Sequence, residues 1–184
     1  EILARMRNIR YALRRCSSEE YAMMAELVLK NLLITIRESQ LTTMFRESWW
    51  EENGTEIDIM IDPERNTKLS CAIYISSILM LFKVDYIPLA PKRRATIESL
   101  VRDFREHPHW YPVSLGEARP GSILIWEERR GNRHIGFYLG DKIAISTSRF
   151  SGTPLTHDWL AEADDAFEYR DIIEVFNHRK LHAA

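Results

Sequence analysis

Two side chains have the chemistry of a nucleophile and its general base, Cys71 and His134. Cys71 is predicted to begin a helix, where aligned peptide dipoles favour the thiolate and free backbone amides can bind an oxyanion. His134 begins an alternating segment in which His134, Gly136 and Tyr138 share one face of a predicted strand. Gly136 leaves room there for another group to approach closely. A thiol and an imidazole are together the groups that attack and deprotonate in cysteine-dependent acyl chemistry.

Each of these residues also has a simpler explanation. An unpaired cysteine is among the most buried residue types, where it acts as a small hydrophobe. A histidine at the start of a strand commonly points into solvent. The catalytic hypothesis therefore depends on Cys71 and His134 meeting in space, since a lone cysteine needs a histidine from elsewhere in the chain.

The other histidines predict no metal site. His107 and His109 are separated by a proline that breaks regular spacing, and no cysteine or carboxylate cluster completes a tetrahedral set. His157 precedes an aspartate, but residues adjacent in sequence rarely face each other as a base and its orienting acid must. His178 and His182 lie in a basic tail and are expected to be solvated. The sequence thus implies neither a metal nor an organic cofactor.

The composition indicates a globular protein. The 184 residues are 45% hydrophobic and 28% charged, and 25 Lys and Arg face 27 Asp and Glu, for a formal charge of −2. This balance lacks the basic footprint of a nucleic-acid binder. The longest apolar stretch, residues 69–84, is too short and too interrupted to span a bilayer, but it suits a buried helix. Two cysteines are too few for a disulfide scaffold.

The N-terminal half reads as helical. Residues 2–15 form a predicted amphipathic helix with a basic face, and a capping box at Ser17 and Glu20 begins a second helix that runs to about Glu38. A short strand is predicted over residues 57–61. The segment 71–82 is apolar on nearly all sides, as expected for a central helix that packs on several faces. A further amphipathic helix is predicted from Thr96 to about Glu106, after a loop marked by Pro88 and Pro91.

From Pro120 onward the hydrophobic period changes to two, which predicts an antiparallel meander. The predicted strands cover residues 122–127, 133–139, 142–148 and 171–177, and the segment 157–168 is ambiguous. A tight turn is expected at Gly140-Asp141. Helices followed by a meander indicate the α+β class.

The order of these segments resembles the NlpC-type cell-wall peptidases, papain-like cysteine hydrolases that also include the CHAP amidases. The matching segments are Cys71 at the head of the buried helix, Pro120-Gly121 before a strand, and His134-Ile135-Gly136-Phe137-Tyr138-Leu139-Gly140. The resemblance covers about residues 67–150. It implies a papain-like domain over residues 56–184, with its nucleophile helix packed on an antiparallel sheet, and an N-terminal helical extension over residues 1–55.

In that family the helix-leading cysteine is the nucleophile, the histidine is the general base, and a polar residue on the following strand orients the base. By spacing from His134 the orienting residue falls on Ser146, or on Thr147 if the register shifts by one. Two features depart from the family pattern. Ser70-Cys71-Ala72 stands where the family usually has Asp-Cys-Ser, and the aromatic-Gly-Gly segment before the cysteine has no clear counterpart.

The resemblance implies a cysteine peptidase or amidase that acts on peptides of bacterial peptidoglycan, in a secreted or cell-envelope setting. Two alternatives stay open. One is a catalytically impaired peptide-binding domain on the same scaffold, and the other is a thiol acyltransferase or an antibacterial amidase. The sequence implies no nucleic-acid partner and leaves the cleaved bond and the oligomeric state undetermined. A leader or anchor removed before Glu1 is also left open.

Overall fold

The computed structural model describes residues 18–58, 60–62, 67–68, 70–82, 95–129, 132–162 and 165–182. The helix expected over residues 2–15 and the loop around Pro88 and Pro91 lie outside these residues. The helices are α1 (Ser18–Glu38), α2 (Ser70–Leu81), α3 (Ile97–Glu106) and a short 3-10 helix (Leu115–Glu117). The strands are β1 (Trp49–Glu52), β2 (Thr55–Asp58), β3 (Ile61–Asp62), β4 (Thr67–Lys68), β5 (Trp110–Val113), β6 (Ile123–Arg129), β7 (Asn132–Gly140), β8 (Ile143–Thr147), β9 (Pro154–Asp158), β10 (Ala161–Glu162), β11 (Asp165–Tyr169) and β12 (Ile172–His178).

One antiparallel sheet of six strands organises the fold, in the order β5-β12-β6-β7-β8-β9. The consecutive neighbours β6, β7 and β8 are the meander that the alternating hydrophobic pattern predicts, and β9 extends it by pairing with β8. The last strand, β12, returns to lie between β5 and β6. Helices before a sheet of this kind confirm the α+β class.

The two faces of the sheet carry separate hydrophobic clusters. The helix face presents Ile125, Ile135 and Phe137 to α2 and α3, whose buried residues include Tyr74 and Phe104. The opposite face holds a smaller cluster, composed of Leu124, Trp126, Tyr138, Ala144 and Val175 with the partly buried Trp159 against it. Because side chains alternate along a strand, neighbours such as His134 and Ile135 belong to different faces.

The helices begin and end close to where their sequences predict. Thr96 is the N-cap of α3, and its hydroxyl oxygen accepts a hydrogen bond from the Ser99 N–H at 3.2 Å. Ser70 is the first residue of α2 and is fully buried. Among the described residues, no helix combines the length and the apolar character needed to cross a bilayer.

Four segments differ from the sequence expectation. Residues 49–58 form a hairpin, β1–β2, around Asn53-Gly54, in place of one strand over 57–61. The strand β5 was not expected, and neither was the run from β9 to β11, in which β10 and β11 begin inside the ambiguous segment 157–168 and β9 lies mostly before it. The turn after β7 is centred on Asp141 and Lys142, both with positive φ, in place of Gly140-Asp141. Short strands are hard to predict because each contains too few residues to show a period.

Candidate active site

Cys71 lies in the first turn of α2, where this buried helix meets β7. The apolar residues around α2 hold it against the sheet, and Cys71 packs at the margin of the helix-face core while staying partly exposed. Its sulfur accepts hydrogen bonds from the backbone N–H groups of Ala72 and Ile135. Since Ile135 directly follows His134, the thiol lies beside the start of the strand that carries the predicted base.

The direction of the Ile135 N–H explains how the thiol fits into the sheet. Tyr138 exchanges hydrogen bonds with Gly121 and Ser122 on the β6 side, with N···O distances of 2.8 and 2.9 Å. Backbone groups alternate along a strand, so the Ile135 N–H points the other way, toward β8. The β7–β8 pairing ends with Gly136 opposite Ser146. The Cys71 sulfur therefore binds a β7 amide just past the end of that pairing.

The Cys71 thiol is neutral at pH 7. Burial raises its pKa to about 11, and the backbone donors together with the Arg170 charge only partly oppose that rise. The helix N-terminus alone was expected to favour the thiolate. That expectation fails because loss of solvent outweighs the local donors.

His134 is paired with Trp126 of β6 on the face opposite the helices. The two rings have centroids 5.6 Å apart and planes inclined by 39°. Burial lowers the pKa of His134 to about 3, with further lowering by its electrostatic interactions with Arg170, His157 and Arg149. The imidazole is consequently neutral, and available as a proton acceptor, across the ordinary pH range.

The Cys71 sulfur contacts the backbone of Ile135, the residue after His134, but it is not hydrogen-bonded to the His134 ring. Among the hydrogen bonds of the described residues, none joins the Cys71 sulfur to the His134 ring. Catalytic hydrogen bonds are often long or unformed without substrate. A neutral thiol beside a neutral imidazole would pass its proton during attack, with no ion pair formed beforehand.

Ser146, expected to orient His134, makes a different contact. The register places Ser146 opposite Gly136, and its hydroxyl lies 2.8 Å from Nε2 of His157. Nδ1 of His157 lies 2.7 Å from the backbone oxygen of Asp158, so it carries a proton and donates. In the neutral ring Nε2 then accepts from Ser146. The alternative residue, Thr147, pairs with Pro154 of β9.

Two further residues, Trp126 and Arg170, belong to this region and were not identified from the sequence. Trp126 contacts the rings of both His134 and His157, the latter with centroids 5.7 Å apart. Arg170, only 7% exposed, follows β11 and acts electrostatically on both Cys71 and His134. No sequence pattern marks Arg170. Trp126 could have been found, because the alternation of β6 and β7 places Trp126 and His134 on neighbouring strands. We call Trp126, His134, Ser146 and His157 the site cluster.

A second group of histidines lies at the other edge of the sheet. We call Trp110, His107, His109 and His178 the edge cluster. The ring centroids of its three histidines are 5.6 to 6.2 Å apart, and the rings of Trp110 and His178 are 4.9 Å apart. His178 and His182, expected to be solvated, are buried, since β12 lies between β5 and β6 and the His182 ring contacts the His178 N–H and the Pro120 backbone oxygen. In the described part of the chain, no group of three or more His, Cys, Asp or Glu residues could hold a metal ion.

A cavity of about 300 Å³ lies beside the 3-10 helix, near the β5–β12 edge. Its polar lining is already paired, since Asn177 donates to the Glu117 carbonyl at 3.1 Å and accepts from Ser122. It contains neither Cys71 nor His134, so the cavity and the thiol site are separate.

The comparison with known proteins adds no family to this geometry. No protein-family model matches the chain, and a comparison with curated proteins finds no match.

Proposed function

We propose that this protein is a cysteine hydrolase of peptide or amide bonds, with Cys71 as nucleophile and His134 as general base. The observation that carries the proposal is the hydrogen bond from the Ile135 N–H to the Cys71 sulfur. It fixes the thiol beside the residue that follows the base. The order of the two residues, one on a buried helix and one on the next sheet, is that of the NlpC-type and papain-like enzymes.

The reaction begins with both groups neutral. The Cys71 sulfur bonds to the carbonyl carbon of the substrate while His134 takes the thiol proton. The C–N bond then breaks, and the imidazolium returns that proton to the leaving amine. A water molecule, deprotonated by His134, then attacks the thioester carbonyl, the C–S bond breaks, and the imidazolium returns the proton to the Cys71 sulfur. The products are a carboxylic acid, an amine and the regenerated thiol.

The first turn of α2 would stabilise the oxyanion of each tetrahedral intermediate. The N–H groups of Cys71 and Ala72 lie at the helix N-terminus and already point at the sulfur. Donors in this position interact favourably with negative charge that develops next to the sulfur. Arg170 adds a positive charge that acts on the same thiol.

The substrate class follows from the family resemblance. NlpC-type enzymes act on peptides of bacterial peptidoglycan, so short muropeptides are the first substrates to test. The papain-like assignment of the fold is part of the same proposal. It is supported by a nucleophile helix, α2, that packs on β7 and β8 of an antiparallel sheet.

The proposal is tested by incubating the protein with defined muropeptides and measuring new amine and carboxylate termini by mass spectrometry. We expect Cys71→Ala to abolish cleavage, and His134→Gln to reduce the rate by about a hundredfold or more, because general-base catalysis contributes at least that much. Cys16→Ala is the matched control, since it removes the other thiol of the chain. Circular dichroism verifies that each variant is folded. Undiminished cleavage by Cys71→Ala would refute the assignment.

A second candidate is a peptide-binding domain that has lost its chemistry. It is favoured by the neutral resting state, since the pKa of Cys71 is raised to about 11 and that of His134 is lowered to about 3. Calorimetry with the same muropeptides separates the two candidates. Binding without any released amine, unaffected by Cys71→Ala, would favour the binding domain over the hydrolase.

A further inference from the structure

The indole of Trp126 is held rigidly in the site cluster. Its Nε1–H donates to the backbone oxygen of Trp159 at 2.6 Å, and the side chain is 1% exposed. Gly136 provides the space that the ring occupies. A Cβ at position 136 would lie 2.9 Å from Cη2 of Trp126 and 2.6 Å from the backbone oxygen of Ile145. Any larger residue at that position would displace the indole or the neighbouring strand.

The two histidines of the site cluster meet at this indole. His134 and His157 both contact it, with centroids 5.6 and 5.7 Å away. His157 is held in turn by its hydrogen bonds to Ser146 and to the Asp158 backbone. The polar group expected to orient the base is thus engaged with another histidine, and the ring next to the base is Trp126.

We propose that Trp126 is the positioning residue of His134, and that its fixed indole holds the imidazole in the orientation from which it takes the Cys71 proton. The inference rests on the proposed function, since it assigns to an aromatic ring the part that a polar side chain has in the resembling family. An aromatic face limits the ring planes that the imidazole can adopt and attracts the imidazolium that forms during proton transfer. Trp126 does not reach the substrate in this role and acts through His134.

The surroundings of His134 determine the direction in which its pKa should change when the indole of Trp126 is removed. The charged and titratable groups that act on it are Arg170, Arg149 and His157, all of which oppose protonation, and burial opposes it most strongly. Removing the indole admits water to the imidazole and reduces the burial. We therefore expect the pKa of His134 to move toward its ordinary value of 6.5 when the ring is lost.

The test compares Trp126→Leu and Trp126→Phe with the matched control Trp110→Leu. Trp110 is also a buried tryptophan in contact with a histidine, but it lies in the edge cluster. NMR titration gives the pKa of His134, and muropeptide hydrolysis gives kcat and KM. In Trp126→Leu we expect the pKa to rise and kcat to fall about tenfold or more with KM little changed, because base orientation affects the chemical step.

Trp126→Phe should restore part of kcat, since it keeps an aromatic face and loses only the hydrogen bond to Trp159. Trp110→Leu should change neither the His134 pKa nor kcat. A parent-like pKa and kcat in Trp126→Leu would overturn the inference. If neither Trp126 variant folds, nuclear Overhauser contacts between the His134 and Trp126 rings in the unsubstituted protein decide, and their absence would overturn it.

The two proposals fail in different ways. If the protein cleaves no muropeptide, or if Cys71→Ala still cleaves, the hydrolase proposal falls while the His134 titration still shows whether Trp126 controls the imidazole. If Cys71 and His134 are both required but Trp126→Leu matches the parent, the hydrolase stands and the positioning role falls.

Discussion

The site cluster and the edge cluster are built from the same residue types and differ in their surroundings. Each places histidines around one buried tryptophan, Trp126 in the first and Trp110 in the second. In the site cluster the indole lies between two histidines that belong to different strands, and a thiol binds the adjacent backbone. In the edge cluster the three histidines contact one another. Aromatic packing of a histidine is therefore not by itself a sign of catalysis, and under the proposed function the neighbouring Cys71 thiol makes the difference.

In both clusters the surroundings lower the pKa of the histidines. Burial is the main cause that lowers the pKa of His134, His107 and His109, and nearby cations lower these values further, while the charge of Asp103 partly opposes the lowering at His107. The cations are Arg170 and Arg149 in the site cluster, and Lys180 and Arg179 in the edge cluster. Both regions thus keep imidazoles neutral, but among the described residues a thiol, that of Cys71, lies near the site cluster and not near the edge cluster.

The largest difference between the clusters should appear when each tryptophan is truncated. Trp110 is 4% exposed and packs on Phe104, with ring centroids 4.8 Å apart. We expect Trp110→Ala to lower the free energy of unfolding by about 3–5 kcal/mol, as is usual for removing a large aromatic from a core. Urea denaturation measures this loss. At temperatures where the variant is folded, kcat should be unchanged, and a selective loss of kcat would remove the distinction between the clusters.

Acidification should destabilise the protein through both clusters. A histidine whose pKa is lower in the folded chain than the unfolded value of 6.5 binds fewer protons when folded, so stability falls as pH decreases below 6.5. For His134 this loss continues to about pH 3, where the folded chain is protonated as well. Urea denaturation over this range should show a pH slope that His134→Gln reduces and that His107→Gln with His109→Gln reduces separately.

The comparison of variants is needed because carboxylates also titrate in this range. Glu117 has a pKa lowered by its hydrogen bonds from Ser114, so its contribution to stability is also lost on acidification. The difference between parent and variant isolates the histidines. Equal slopes in the parent and in His134→Gln would show that the folded chain protonates this imidazole near its ordinary pKa.

The smallest effect is expected for Ser146→Ala. Ser146 is fully buried, and its hydroxyl is hydrogen-bonded to His157. We expect a loss of about 1 kcal/mol in the free energy of unfolding, typical of one hydrogen bond, with the pKa of His134 unchanged. Urea denaturation and NMR titration measure the two quantities. A marked change in kcat together with the His134 pKa would instead return Ser146 to the orienting role that the sequence suggested.

Much of the fold follows from the sequence because its segments have clear periods. The apolar residues of 71–82 and the alternation in 133–139 are enough to predict α2 and β7, and the meander order follows from short turns. β5 could not be predicted, since four residues around a proline show no period. Its place depends on β12, a partner more than fifty residues away in the chain.

Within the candidate site, the sequence could point only to residues whose side-chain type itself indicates a chemical role. Cys71 and His134 were proposed from their type and order, and the contact of the Cys71 sulfur with β7 depends on the backbone of Ile135. The side-chain register was not predictable, because the turn at Asp141 and Lys142 sets which residue faces Gly136. The raised pKa of Cys71 depends on burial by distant segments, which a helix-dipole argument leaves out.

The space at Gly136 has a consequence for how this sequence can vary. A glycine in the middle of the sheet is tolerated because the six-membered end of an indole from the neighbouring strand takes up its volume. The two positions are therefore not independent. Homologues that lose the tryptophan at position 126 should be free to regain a side chain at position 136, and those that keep it should not.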